Sequence, residues 1–233
     1  MALLLCSVNV IYPQVLIALV FGKKLNTDKL EFGLTVSPSI TNISNIESKY
    51  RPILDLGLYF NIKMNQNFFL HPEVIAKSAY GAGNIPVYAT GKPELDSLMV
   101  GGNIDRKLKG WSIPLLVHYR IKQFLFAEIG PQIDWMLFKS QDVFKNKVDG
   151  DKLTYSKTIS SEITNFSFGF AAGLIYKLRK DKGMGLGIRY YYGVTDIMKT
   201  VPGNQGHRMW MFNICIPVGT GKSSSTTNKA PSS

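Results

Sequence analysis

Hydrophobic and polar residues alternate along most of the chain after Lys29. In the segment 54–62, every second residue is Leu, Phe or Ile, and the positions between them carry Asp, Gly, Tyr and Asn. A β-strand directs successive side chains to opposite faces, whereas a helix would distribute both sets around its axis. The same alternation recurs in 111–119, 166–174 and 184–192. The pattern therefore predicts β-strands that each have one apolar face and one polar face.

Eight segments carry this pattern, and each is long enough to cross a bilayer as a tilted strand of roughly 9–11 residues. Their approximate bounds are 29–42, 52–64, 67–80, 109–121, 123–138, 162–178, 183–197 and 208–218. Apolar content that is spread in period two, without long apolar runs, is typical of membrane barrels. We therefore predict an all-β fold, an eight-stranded antiparallel transmembrane β-barrel.

The connections between these segments alternate in length. The short ones are 64–67, 122–123 and 179–183. The longer ones are 43–51, 81–108, 139–161 and 198–207. Outer-membrane barrels have short periplasmic turns and longer external loops. The alternation therefore predicts a bacterial outer-membrane location with both chain termini on the periplasmic side.

The two ends of the chain differ in composition from the barrel region at 29–218. Residues 1–13 are apolar and are expected to be an export signal, although they lack the usual basic start. A membrane anchor helix over 1–22 is the alternative. We expect 14–28 to be a periplasmic segment, and 219–233, rich in Ser, Thr, Asn and Lys, to be a disordered periplasmic tail.

Composition and charge narrow the function classes. The 233 residues carry a formal net charge of +11, but the Lys and Arg residues are scattered and form no dense basic helix. This distribution favours a surface beside anionic outer-membrane lipid over nucleic-acid binding. The only cysteines are Cys6 and Cys215. If the first is removed with the signal, no internal disulfide and no cysteine-based metal site can form, and no cofactor is expected.

The polar strand faces define the interior of the predicted barrel. Strand parity places the following polar residues in the lumen: His71, Glu73, Lys77, His118, Arg120, Glu128, Asp134, Arg189 and Tyr191. Charges that face one another in a narrow, dry lumen must pair, because an isolated buried charge is very costly. We therefore predict a structural ionic network that closes the lumen, centred on Glu73, Glu128 and Arg189 with Lys77. A proton or ion path along the same residues is the alternative.

The sequence does not indicate an enzyme. His71 and His118 fall within strands, and His207 falls in a predicted loop. The chain shows no serine-nucleophile elbow and no metal signature, so these isolated histidines are expected to be structural or surface residues.

Four short motifs, in this order and spacing, resemble the PorT-like outer-membrane β-barrel family. They are 69–73 (FLHPE), 113–116 (IPLL), 127–132 (AEIGPQ) and 185–193 (GLGIRYYYG), the last followed by TDI at 195–197. The similarity covers about residues 29–218. It implies an eight-stranded barrel in the outer membrane and that some members assist type IX secretion, while most have no assigned activity.

Three functions remain open from the sequence. The first is a structural or interaction barrel with a plugged, non-conducting lumen that offers its external loops to other envelope proteins. The second is an accessory component of protein secretion. The third is a soluble lipocalin-like binder, in which the apolar faces would point inward and the polar faces outward.

Overall fold

The structure is a computed structural model that describes residues 26–179 and 183–219. The expected signal peptide at 1–13, most of the segment 14–28 and nearly all of the tail lie outside the described residues. The strands are β1 Leu30–Ile43, β2 Arg51–Lys63, β3 Phe68–Pro86, β4 Asn103–Arg120, β5 Leu125–Trp135, β6 Gln141–Val148, β7 Asp151–Thr158, β8 Phe166–Lys177, β9 Gly185–Gly193 and β10 His207–Pro217. A short helix α1, Pro93–Leu98, precedes β4. No helix in the described part of the chain is long and apolar enough to cross a membrane.

Eight of the strands close into a ring of antiparallel pairs. Around the ring the order is β1, β2, β3, β4, β5, β8, β9 and β10, and β10 pairs with β1. Closure leaves no free strand edge within the ring, so each ring strand has a hydrogen-bonded neighbour on both sides without a second molecule. The predicted eight-stranded antiparallel barrel is confirmed.

The long connections contain more β-structure than the sequence predicts. Strands β3 and β4 continue past the ring as a paired ribbon, and residues 103–107 of β4 pair with β6 of a β6–β7 hairpin. The prediction of loops at 81–108 and 139–161 was wrong in this respect. The hairpin was missed because β7 reads DKLTYSKT, which has no continuous apolar face. We call this four-stranded extension (81–86, 103–107, β6 and β7) the rim sheet.

The outward face of the ring is apolar and the inward face is polar. Leu115 and Ile188 are 46% and 43% exposed, whereas Glu73 and Arg189 are each 1% exposed. This arrangement is the reverse of the one that a soluble lipocalin-like binder requires. The outward face is suited to a lipid solvent, in which a charged side chain has no compensating hydration.

Aromatic side chains flank the apolar belt at both ends. At the end with the short turns, the rings of Phe68 and Tyr119 lie 5.0 Å apart. At the end with the long connections, Trp135 stacks on Phe166 at 5.5 Å, and Trp111 is the cross-strand partner of Trp135. Two such girdles with an apolar band between them are typical of outer-membrane barrels.

The first testable prediction concerns a residue at the middle of the apolar belt. Leu115 faces outward on β4, midway between Trp111 and Tyr119. We expect Leu115→Arg to lower the free energy of unfolding by about 2–4 kcal/mol, because the charge would lie at the bilayer midplane. The measurement is equilibrium denaturation in phospholipid vesicles. The control is Val100→Arg, on the exposed turn after α1, which is expected to change stability by less than about 0.5 kcal/mol. Equal effects from both substitutions would contradict a lipid-facing belt.

Candidate functional site

A buried arginine lies between two buried glutamates at the centre of the lumen. Arg189 Nε and Nη2 donate to Glu128 Oε1 and Oε2 at 2.7 and 3.0 Å. Its Nη1 and Nη2 donate to Glu73 Oε2 and Oε1 at 3.0 and 2.7 Å. Each carboxylate therefore receives two charge-assisted hydrogen bonds from one guanidinium, the geometry that makes such pairs strong. We call these residues, with His71 and His118, the central cluster.

Two stacked histidines complete the central cluster. His71 Nε2 lies 3.0 Å from Glu73 Oε1, and His118 Nε2 lies 3.0 Å from Glu128 Oε2. The two imidazole rings stack with their centroids 4.1 Å apart. Each glutamate therefore has a histidine contact in addition to its two hydrogen bonds from Arg189. Such compensation is what a water-poor interior demands of buried charge.

Strand register explains how the sequence assembles this cluster. His118, Glu128, Gly173 and Arg189 form one row across β4, β5, β8 and β9. A Cβ atom on Gly173 would lie 2.7 Å from Glu128 Oε1 and 2.4 Å from the Ile188 carbonyl oxygen. The glycine therefore leaves the space through which Arg189 reaches Glu128.

A second polar layer surrounds Asp134 towards the long connections. Asp134 Oδ1 accepts hydrogen bonds from the Tyr80 hydroxyl, Ser112 Oγ at 2.8 Å and Gln132 Nε2 at 2.8 Å. Its Oδ2 accepts from the Tyr191 hydroxyl at 2.6 Å and from Ser167 Oγ at 3.1 Å. Five neutral donors therefore satisfy this buried carboxylate. Asp134 and Tyr191 were predicted inside, but they lie in this layer and not in the central cluster.

A third layer fills the end of the lumen with the short turns. Lys177 Nζ lies 3.2 Å from Glu31 Oε1, and the Tyr59 hydroxyl donates to the same oxygen at 3.3 Å. The guanidinium of Arg120 lies over the Phe69 ring, 5.3 Å from its centroid. Arg120 thus faces inward as predicted but lies apart from the central cluster. Lys177 and Glu31 were missed, although both share the inward parity of their strands.

Lys77 does not lie in the lumen, which corrects the prediction. Ile75 and Ser78 both face inward, and Lys77 between them is exposed on the outer surface. The pairing of β3 with β4 shifts register between Ile75 and Ser78, which marks a β-bulge. A bulge adds one residue to the strand and reverses the parity of the residues after it. Period-two counting from His71 therefore placed Lys77 on the wrong face.

His207 also differs from the sequence-based expectation. It begins β10 instead of lying in a loop, and it is completely buried. Its imidazole stacks on the Tyr80 ring at 4.4 Å. This ring pair lies above the Asp134 layer and separates it from the apolar residues beyond.

Apolar side chains cover the lumen at the end with the long connections. The cover draws on the rim sheet and on the connections before β4, β8 and β10, and it includes Ile85, Met99, Ile104, Phe144, Ile159, Ile163, Ile197 and Met198. Arg106 Nε and Nη2 donate to the carboxylate oxygens of Asp142 at 2.8 and 2.7 Å within it. The Tyr88 hydroxyl donates to Asp142 at 2.9 Å, and burial, together with this carboxylate, raises the pKa of Tyr88. We call this region the apolar cap.

The described residues offer no metal site. No group of three His, Cys, Asp or Glu side chains within residues 26–179 and 183–219 is arranged to hold a metal ion. The carboxylates of the central cluster are instead occupied by Arg189.

The second prediction concerns the central cluster. We expect Arg189→Met to lower the free energy of unfolding by about 3–5 kcal/mol, because it leaves two carboxylates buried without a counter-charge. The triple variant Glu73→Gln/Glu128→Gln/Arg189→Met removes all three charges and should recover most of that loss. Equilibrium denaturation in phospholipid vesicles measures both. A triple variant no more stable than Arg189→Met would contradict the proposed cause.

Comparison with solved structures finds small membrane barrels. The structure is similar to Ail, the attachment invasion locus protein of Yersinia pestis, with 13% identity, 81% of this chain and 99% of that chain covered, and a TM-score of 0.43. It is also similar to Neisserial surface protein A, with 9% identity, 81% and 96% coverage, and a TM-score of 0.37. No curated protein matches the chain.

Comparison with protein families gives a match over most of the chain. Residues 23–199 match the family described as "Outer membrane protein beta-barrel domain". The matched region includes all the ring strands except β10, and both glutamates and the arginine of the central cluster. The chain therefore belongs to the outer membrane protein beta-barrel domain family.

Proposed function

We propose that this outer-membrane barrel is sealed and non-conducting, and that it serves a structural or interaction role at the cell surface. The observation that carries the proposal is the hydrogen-bonded connection through Arg189. In the ring of eight strands, β3 and β9 lie opposite each other. The Arg189–Glu73 pair therefore crosses the full diameter of the lumen.

The lumen leaves little room for a water column. The Lys177–Glu31 pair, the central cluster and the Asp134 layer follow one another along the barrel, and each joins side chains from non-adjacent strands. An eight-stranded barrel has an interior only wide enough for packed side chains. The apolar cap then covers the far end. An ion would have to break buried charge-assisted bonds and cross this cap.

The distribution of ordered structure favours interaction at one end of the barrel. The rim sheet, α1 and the cap all lie at the end with the long connections, whereas the connections between strands at the opposite end are short. Outer-membrane barrels direct their long loops outward and their short turns to the periplasm. This rule supports an external rim sheet and periplasmic chain termini, with outer-membrane lipid and other envelope proteins as partners.

The alternative is an accessory role in protein secretion. It is supported only by the resemblance of motifs such as 69–73 and 185–193 to PorT-like barrels. Among the described residues, the end with the short turns offers little surface, which favours the first proposal. Loss of secreted type IX cargo in a deletion strain would favour the alternative, and normal secretion would count against it.

No catalytic role is part of this proposal. The imidazoles of His71 and His118 pair with glutamates that are also bound to Arg189, and His207 stacks on Tyr80. These contacts support structural roles for all three histidines.

The third prediction tests the seal. We expect the purified protein to show no sustained ion conductance after insertion into planar lipid bilayers, because the lumen is crossed by paired charges. A general porin inserted into the same bilayers is the positive control. Insertion should be verified by heat-modifiable migration of the recovered protein. Large, stable current steps from the wild-type protein would overturn the sealed lumen.

The fourth prediction tests orientation. In a Cys6→Ser background, we expect Thr200→Cys on intact cells to react with a membrane-impermeant maleimide and Gln66→Cys to react only after the outer membrane is permeabilised. Both positions are exposed, at opposite ends of the barrel, and the remaining Cys215 is buried. The reverse labelling pattern would place the termini outside the cell.

A further inference from the structure

The outward face of β4 changes from apolar to basic at the aromatic girdle near the long connections. Below that girdle its outward residues are apolar, ending at Trp111, which is 37% exposed. The next outward residues along the strand are Lys109 and Lys107, and no described carboxylate lies within salt-bridge distance of either. Two lysines therefore stand directly above the level at which the lipid-facing surface ends.

A neighbouring segment adds a third lysine at this level. Lys139 is exposed and follows Phe138, whose amide donates to the Lys109 carbonyl at 3.3 Å. We call these three lysines, Lys107, Lys109 and Lys139, the basic rim.

The chemistry beneath the basic rim also fits a lipid headgroup. Trp111 and Trp135 are cross-strand partners on β4 and β5 and are 37% and 42% exposed. Tryptophan prefers the interface between hydrocarbon and headgroups. Asp105, the next outward carboxylate along β4, is paired with Lys145 farther from the belt. No carboxylate of the described residues therefore forms an ion pair with the basic rim, at the level where headgroup phosphates would lie.

We propose that the basic rim binds the phosphorylated headgroups of the lipid in the outer leaflet. The occupant is indicated by two observations, the continuity of this surface with the lipid-facing belt and the charge complementarity between lysines and phosphate. A lysine near an anionic membrane surface contributes roughly fivefold to affinity. The placement in the outer leaflet rests on the orientation proposed above, whereas the binding itself does not.

Native mass spectrometry of the protein released from detergent micelles tests the proposal. The probes are diphosphoryl lipid A and the same lipid after removal of its phosphates. We expect the wild-type protein to bind the phosphorylated form preferentially. The variant Lys107→Gln/Lys109→Gln/Lys139→Gln should bind it at least about tenfold more weakly, and Lys109→Gln alone about fivefold more weakly.

A matched variant controls for total charge. Lys92→Gln/Lys147→Gln/Lys152→Gln removes the same charge from exposed positions farther from the belt. It should retain affinity within about threefold of wild type, since headgroup contacts are local and long-range attraction is screened. Equal weakening by both triple variants, or equal binding of the two forms of lipid A, would overturn the proposal. Because the measurement is made in detergent, it is independent of orientation and of conductance.

Discussion

The packing of the lumen depends on one guanidinium held between two carboxylates. Arg189 makes four hydrogen bonds to Glu73 and Glu128, and all three side chains are at most 2% exposed. None of these charges could remain buried without the others, because the desolvation of an unpaired charge costs several kcal/mol. The pairing therefore constrains β3, β5 and β9 relative to one another. The histidines, the glycine at 173 and the stacked aromatic rings are arranged around this constraint.

The barrel separates two kinds of packing along its axis. Within the membrane-spanning ring, charged side chains pair with one another in the lumen and apolar side chains face lipid. Beyond the ring the positions of polar and apolar side chains are exchanged. The apolar cap packs inside the long connections, and lysines occupy the outer surface. The change occurs at the level of Trp111 and Trp135. The medium around the protein changes at this level from lipid to water. Lipid favours an apolar outer surface and water favours a charged one, which accounts for both arrangements.

Much of the ring could be predicted from the sequence, because period-two alternation reports directly on which face meets lipid. The same parity correctly places Glu73, Glu128 and Arg189 inside, although it cannot say which of them meet. Lys77 was misplaced because a single bulged residue inverts parity and has no signal in the alternation. The β6–β7 hairpin was missed because β7 has no continuous apolar face. His207 was missed because its burial depends on Tyr80, a partner distant in sequence.

The two carboxylate partners of Arg189 shield its guanidinium from water. The most direct measurement is the hydrogen exchange rate of the Arg189 Nε–H group, observed by NMR of arginine-labelled protein in lipid nanodiscs. We expect a resolved signal that exchanges far more slowly than that of the exposed Arg179. Exchange at the rate of Arg179 would show that water reaches the centre of the barrel and that the carboxylates do not shield the guanidinium.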